Sequence, residues 1–168
     1  MKRNRSALRT AVGVIMAAGS LLLWPGSPAR GASVGEVLKE MVEEAKEQTE
    51  AVTVEALAEQ MAGEGEFKLI DVRTEAEFEA GHLRGAVWAP RGKLEFIASR
   101  GGVIDVEDEI VVYCKRDGRA CLAAATLKKL GFQKVKYLEN GFEEWVTAGQ
   151  TIYNQHGELT VEEFEKEE

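Results

Sequence analysis

The sequence predicts an α/β domain, with a mostly parallel sheet flanked by helices on both faces and an accessory amphipathic helix in front of it. Three observations predict it. Between residues 51 and 149, short apolar runs alternate with helical patterns on short connections. The clearest run, Ile110-Val-Val-Tyr113, shows no polar alternation, as in a strand covered on both faces. Ahead of these runs, Val34, Val37, Leu38, Met41, Val42 and Ala45 recur at helical spacing, with Glu and Lys on the other face.

The amphipathic segment reads as a helix of about 16 residues packed on the domain. Thr53 reads as the N-cap of a helix over Val54–Met61, closed by Gly63-Glu-Gly65. Phe67–Val72 is a short buried strand, and Glu75–Ala80 a helical turn ending at Gly81. Ala86–Ala89 is a further apolar stretch halted by Pro90, and a helix covers Lys93–Ser99 before Gly101-Gly102. After the Ile110–Tyr113 strand come a helix over Ala120–Leu130 capped by Gly131, a strand over Val135–Leu138 and a helix over Phe142–Ala148. From Gly157 onward the chain reads as a frayed, mostly acidic tail. The expected organisation is a targeting segment at 1–31, the accessory helix at 32–50, one domain at 51–150 and the acidic tail at 151–168.

A chain of 168 residues, 45% of them hydrophobic, suits one compact domain with added segments. That composition excludes a repeat protein, a disulfide-dense miniprotein and a wholly disordered chain. The net charge of −8 is unevenly placed. Residues 1–31 hold five basic residues and no acid, so the rest carries 16 basic against 29 acidic residues, a net −13. Such a body repels nucleic acid and anionic lipid, and neither is expected as a partner. A basic cluster inside it, at residues 115–119, stands out against that background.

Lys2 to Arg9 form a basic start and Ala11 to Trp24 an apolar run, followed by small residues at Ser27-Pro-Ala29 or Ala29-Arg-Gly31. A helix over that run spans about 21 Å against a hydrocarbon core of about 30 Å. The segment therefore reads as an export signal, with an uncleaved membrane anchor as the alternative. The expected location is the bacterial periplasm, with membrane attachment only through that segment.

Cys114 and Cys121 are the only cysteines, and the histidines are His82 and His156. These are too few for a disulfide framework, and no zinc-like spacing exists. Cys121 reads as a small buried helix residue, with a Cys114–Cys121 disulfide as the alternative. Cys114 ends the predicted strand, a short charged loop follows, and a helix begins. Ligands of open parallel sheets bind beyond the carboxyl ends of the strands, where loop amides and a helix amino end favour anions. Lys115, Arg116 and Arg119 favour a thiolate there. The combination is a nucleophile inside an anion-attracting pocket, which suits attack on a negatively charged sulfur donor. The competing reading is a buried cysteine beside a solvated charge run.

The loop and helix start, Cys114-x4-Arg119-Ala120, resemble the active-site loop of the rhodanese family. Asp71-Val-Arg73-Thr-Glu-Ala-Glu77-Phe78 looks like that family's strand-and-turn motif, and Gly81-His82-Leu-Arg-Gly85-Ala86 like its G-H-x-x-G-A motif. Leu130-Gly-Phe132, Val135, Leu138, Asn140-Gly141-Phe142 and Trp145 look like its closing segment. The resemblance implies a sulfurtransferase in which Cys114 takes a sulfane sulfur from thiosulfate or a related anionic donor. The persulfide sulfur then passes to a thiol, cyanide or a protein acceptor. Lys115, Arg116, Asp117, Gly118 and Arg119 would bind the donor, while Asp71, Arg73, Glu77 and His82 would be structural supports. It implies no metal or organic cofactor.

Asp117 stands where family members often carry glycine, and it reads either as a cap for the following helix or as a carboxylate facing the anion. The loop itself sums to +2. Related phosphatases resemble this loop but carry one more residue between Cys and Arg, so the four residues here imply a sulfur-sized pocket. The alternatives are a non-catalytic binding or sulfur-carrier module, and a dithiol redox protein using Cys114 and Cys121.

Overall fold

The computed structural model describes residue 31, residues 33–63 and residues 65–160. The expected export signal and the end of the acidic tail, residues 161–168, lie outside those residues apart from Gly31. No helix among the described residues is long and apolar enough to cross a membrane.

Five parallel strands form the sheet: β1 (Glu50–Val52), β2 (Lys68–Asp71), β3 (Val87–Trp88), β4 (Ile110–Tyr113) and β5 (Val135–Leu138), in the order β1-β5-β4-β2-β3. Among the described residues, six helices accompany it: α1 (Val34–Glu47), α2 (Val54–Ala62), α3 (Glu75–Ala80), α4 (Leu94–Ser99), α5 (Gly118–Lys129) and α6 (Gly141–Thr147). The expected α/β class is therefore observed. β4 is fully buried, as its unbroken apolar run requires. Its alternate side chains feed two cores. Ile110 and Val112 join the core under α4 and α5, whereas Val111 and Tyr113 join the core with Leu57 of α2 and Trp145 of α6.

Helix starts follow the caps written in the sequence. The Thr53 hydroxyl accepts from the Ala56 amide at 3.3 Å, and Thr74 with Glu77 forms a reciprocal capping box on α3. Ser33 and Glu36 form a second box on α1.

Three differences from the expectations have physical causes. β1 straddles the expected boundary at residue 51, and its short pattern, with only Val52 buried, is too brief for a periodicity signal. α1 docks only through its last turns. Val34, Leu38 and Met41 stay exposed, while Ala45 is buried and Val42 packs on the α5 side of the core. The tail expected at 151–168, and to fray from Gly157, instead carries a hairpin, β6 (Ile152–Asn154) and β7 (Gly157–Leu159). His82 exchanges two backbone hydrogen bonds with Tyr153 of β6, at 2.9 and 2.8 Å, and Ile152 is buried against Gly81.

The connection after β2 leads outward to β3, whereas the connection after β4 leads the opposite way to β5. These neighbouring strands mark a switch point, and the crevice beyond their carboxyl ends is where such sheets place a site.

Candidate active site

Cys114 follows β4 at that crevice and continues the Ile110–Val112 side of the strand, so its side chain belongs to the α5 face. It is only 2% exposed and shares its core with Ala120 and Cys121. The thiol is thus recessed rather than displayed. Its polar neighbour is Arg119, whose guanidinium pKa is raised first by Glu77 and less by the Cys114 sulfur.

The loop after Cys114 is held from below by α6. The Phe142 amide donates to the Cys114 carbonyl at 2.8 Å and the Glu143 amide to the Lys115 carbonyl at 3.0 Å. That approach needs Gly141, which has φ +64°. A Cβ there would lie 1.8 Å from the Arg116 carbonyl oxygen. With its carbonyls so engaged, the loop keeps its donors. Among the described residues, the five successive amides of residues 115–119 donate to no protein acceptor. α5 then starts with the Cys121 amide donating to the Asp117 carbonyl at 2.9 Å. A recessed thiol followed by unspent amides at a helix amino end can cradle an anion or a sulfur-bound anionic adduct.

Tertiary contacts change the electrostatics expected of the loop. Arg119 is gripped by both oxygens of Glu77 at 2.9 and 2.8 Å, and that pairing holds the Glu77 carboxyl well below its ordinary value. Lys115 and Arg116 both reach Glu143, at 3.2 and 3.0 Å. Asp117 makes no side-chain cap. Its carboxylate pairs with Lys46 of α1 at 2.7 Å. The expected side-chain cap is therefore not formed. The cluster of Lys46, Lys115, Arg116 and Arg119 against Glu77, Asp117 and Glu143 sums to +1, not the +2 of the loop alone.

Of the remaining predicted residues, Arg73 lines the cleft beside the loop, and Asp71 and His82 are engaged in hydrogen bonds and packing. Asp71 and Arg73 form a buried pair with contacts of 2.6–3.0 Å, and Arg73 also donates to the Gly81 carbonyl at 2.6 Å. The Arg73 guanidinium sits 4.0 Å from the Phe142 ring centroid, linking this pair to α6. The His82 ring stacks on Phe78 at 4.0 Å and contacts the Phe78 carbonyl at 3.0 Å. That places His82 at the hairpin side of the domain, engaged in packing. A cleft of about 630 Å³ adjoins the loop, lined by Lys115, Glu77, Phe142, Val146 and Ile152 among others.

Cys121 is a free thiol with 0% exposure, donating to the Gly118 carbonyl at 3.3 Å. Burial first, and then the Asp117 charge, push its pKa up to about 11. Among the described residues, no group of three or more His, Cys, Asp or Glu is placed to hold a metal ion.

Sequence reasoning missed Lys46 and Glu143 as neighbours of the loop, because both arrive by long-range packing. Gly141 did carry a signal: an Asn-Gly pair opening a helix, with Asn140 also at positive φ.

Residues 53–148 match the rhodanese-like domain family. YrkF of Bacillus subtilis, whose given name assigns it provisionally to sulfur carriage, is 29% identical over 123 residues. Those residues are 71% of this chain and 65% of YrkF, so the chain spans a little less than two thirds of that relative. A protein of Allochromatium vinosum named sulfurtransferase is 29% identical over 103 residues, 61% of this chain and 94% of its own length. Among solved structures, a Rhodopseudomonas palustris protein of unknown function, with tyrosine phosphatase offered as its candidate activity, superposes with a TM-score of 0.63 at 28% identity. That match covers 71% of this chain and 96% of the other. With the family match running across β2 to β5, the Cys114 loop and α6, this chain belongs to the rhodanese-like domain family.

Proposed function

We propose that this chain is a sulfurtransferase that carries a sulfane sulfur on Cys114. The observation that carries the reading is the recessed thiol at the carboxyl end of β4, followed by five unspent amides and flanked by Arg119. In the first step the thiol loses its proton to solvent, and the thiolate attacks the outer sulfur of thiosulfate. A new S–S bond forms, the S–S bond of thiosulfate breaks, and sulfite departs with the electron pair. In the second step a thiolate or cyanide attacks the terminal sulfur of the persulfide and releases the Cys114 thiolate. The loop amides would stabilise the charge on the outer sulfur, and the paired cations would offset that of the donor.

Four residues separate Cys114 from Arg119, and on family resemblance that spacing favours sulfur over a phosphoryl oxyanion. The expected result is that purified protein incubated with thiosulfate gains the mass of one sulfur atom, and that dithiothreitol removes it. Cys114→Ala should gain none; persistent loading of that variant would remove the assignment. Clear turnover of an aryl phosphate would favour the phosphatase reading instead.

A sulfur-carrier module is the second reading, favoured by the likeness to YrkF, whose given name assigns it provisionally to sulfur carriage. Stoichiometric loading without turnover in the presence of thiosulfate and cyanide would select it. The export reading of residues 1–31 belongs to the same proposal, and amino-terminal sequencing of the mature protein from cell fractions tests it.

A further inference from the structure

We propose that Lys46, on the helix ahead of the family-matched residues, is a positioning residue that holds the Asp117 carboxylate away from the anion cradle. This rests on the reading of Cys114 as the sulfur-bearing residue, and it assigns a task to a segment that the family match does not include.

The contact is close and sheltered. Lys46 Nζ lies 2.7 Å from Asp117 Oδ2, with the two side chains 31% and 27% exposed. Lys46 is the one side chain that the Asp117 carboxylate pairs with among the described residues, since that carboxylate makes no cap bond on α5. The Lys46 ammonium pKa is raised, first by its hydrogen bond to Asp117.

The backbone aims it there. Val42 lies one turn before Lys46, on the same side of α1. Its Cγ2 would be 3.7 Å from a Cβ placed on Gly118, and its carbonyl is 3.9 Å from the Cys121 sulfur. The last turns of α1 therefore rest on the first turn of α5, immediately after Asp117. The Lys46 charge also sits in the last turn of α1, where the helix dipole favours a cation.

Charge counting shows what the contact decides. Glu77 and Glu143 already engage Arg119, Lys115 and Arg116, so the cluster is only +1. Without Lys46 it is neutral, and the freed Asp117 carboxylate adjoins the unspent amides. With Lys46 present, a carboxylate that would repel a sulfur oxyanion is neutralised.

The test uses the full chain and reads Cys114 alkylation by peptide mass mapping. Iodoacetate is the anionic probe and iodoacetamide the neutral one, so their rate ratio reports the charge at the thiol. Lys46→Gln should lower that ratio about threefold, as expected for the loss of one nearby charge at intermediate dielectric. It should raise the KM for thiosulfate more than it lowers kcat, and Lys46→Arg should behave as the parent. Lys46→Gln combined with Asp117→Asn has the parent's cluster charge and should restore the ratio. A purely structural ion pair predicts otherwise, because both the single and the double variant lack it and should be equally impaired. An unchanged ratio in Lys46→Gln, or a double variant as low as the single, overturns the proposal. Alkylation needs no sulfur transfer. A parent protein that fails to load sulfur while the ratio responds as stated would therefore defeat the functional reading and leave the role of Lys46 standing.

Discussion

Glu77 serves two tasks with one carboxylate. Its Oε2 accepts from the Thr74 amide at 3.0 Å in the α3 capping box, and both oxygens hold Arg119 beside Cys114. Arg119 first, then Thr74, keep its carboxyl well below the ordinary value of 4.5. A depressed carboxylate contributes stability above its unfolded pKa, and that stability is lost as pH falls through the folded value. Because the pair is about one third exposed, the Coulomb gain is discounted for solvent. Glu77→Gln should cost about 0.5–1 kcal/mol at pH 7. In urea denaturation the gap between parent and variant should narrow steadily below pH 4.5. A gap that stayed constant into acid would mean that shape, not charge, makes the contribution. The Asp71–Arg73 pair differs: it is buried at 0% and 3% exposure, the carboxylate accepts from the Arg73 guanidinium and amide, and the guanidinium also donates to the Gly81 carbonyl. It holds the turn that presents Glu77.

Among the elements, the β6–β7 hairpin contributes most that the sequence pattern hid. Ile152 fills the space above Gly81, where a Cβ would come within 2.8 Å of its Cδ1. It also lines the cleft beside the loop. Ile152→Ala should destabilise the domain by about 2–4 kcal/mol through lost burial and a residual cavity. Guanidinium unfolding checks this, and a change under about 0.5 kcal/mol would show that the hairpin is not docked. The isolated residues 152–159 offered little to read, since two strands of three residues carry too few alternations to separate strand from tail. Longer elements were legible. Thr53 announced the helix it caps, Gly81 the end of the turn over Glu75–Ala80, and the Ile110–Tyr113 run the central strand.

At the scale of the whole molecule, the net −13 of residues 32–168 would oppose the anionic donor proposed above, whereas the local cluster is +1. At 0.01 M salt the screening length is about 30 Å, so the entire domain is felt; at 0.15 M it is about 8 Å, so only the loop is. The second-order loading rate with thiosulfate should therefore rise by a few-fold between those salt concentrations. A monotonic fall would mean that the loop cations dominate even at long range.

The local code sufficed for the fold class, for most helix and strand positions and for the nomination of Cys114 and its loop. Caps, apolar runs and motif spacing act over a few residues and are written consecutively. Tertiary structure alone decided the state of that loop. Glu77, Glu143 and Lys46 come from α3, α6 and α1, and they reach Lys115, Arg116, Asp117 and Arg119 only once the helices pack around the sheet. The same holds for Gly141, whose lack of a side chain matters because the Arg116 carbonyl arrives against it. Charge pairing and steric contact depend on distance through space, and sequence separation carries no measure of that distance until the chain has folded.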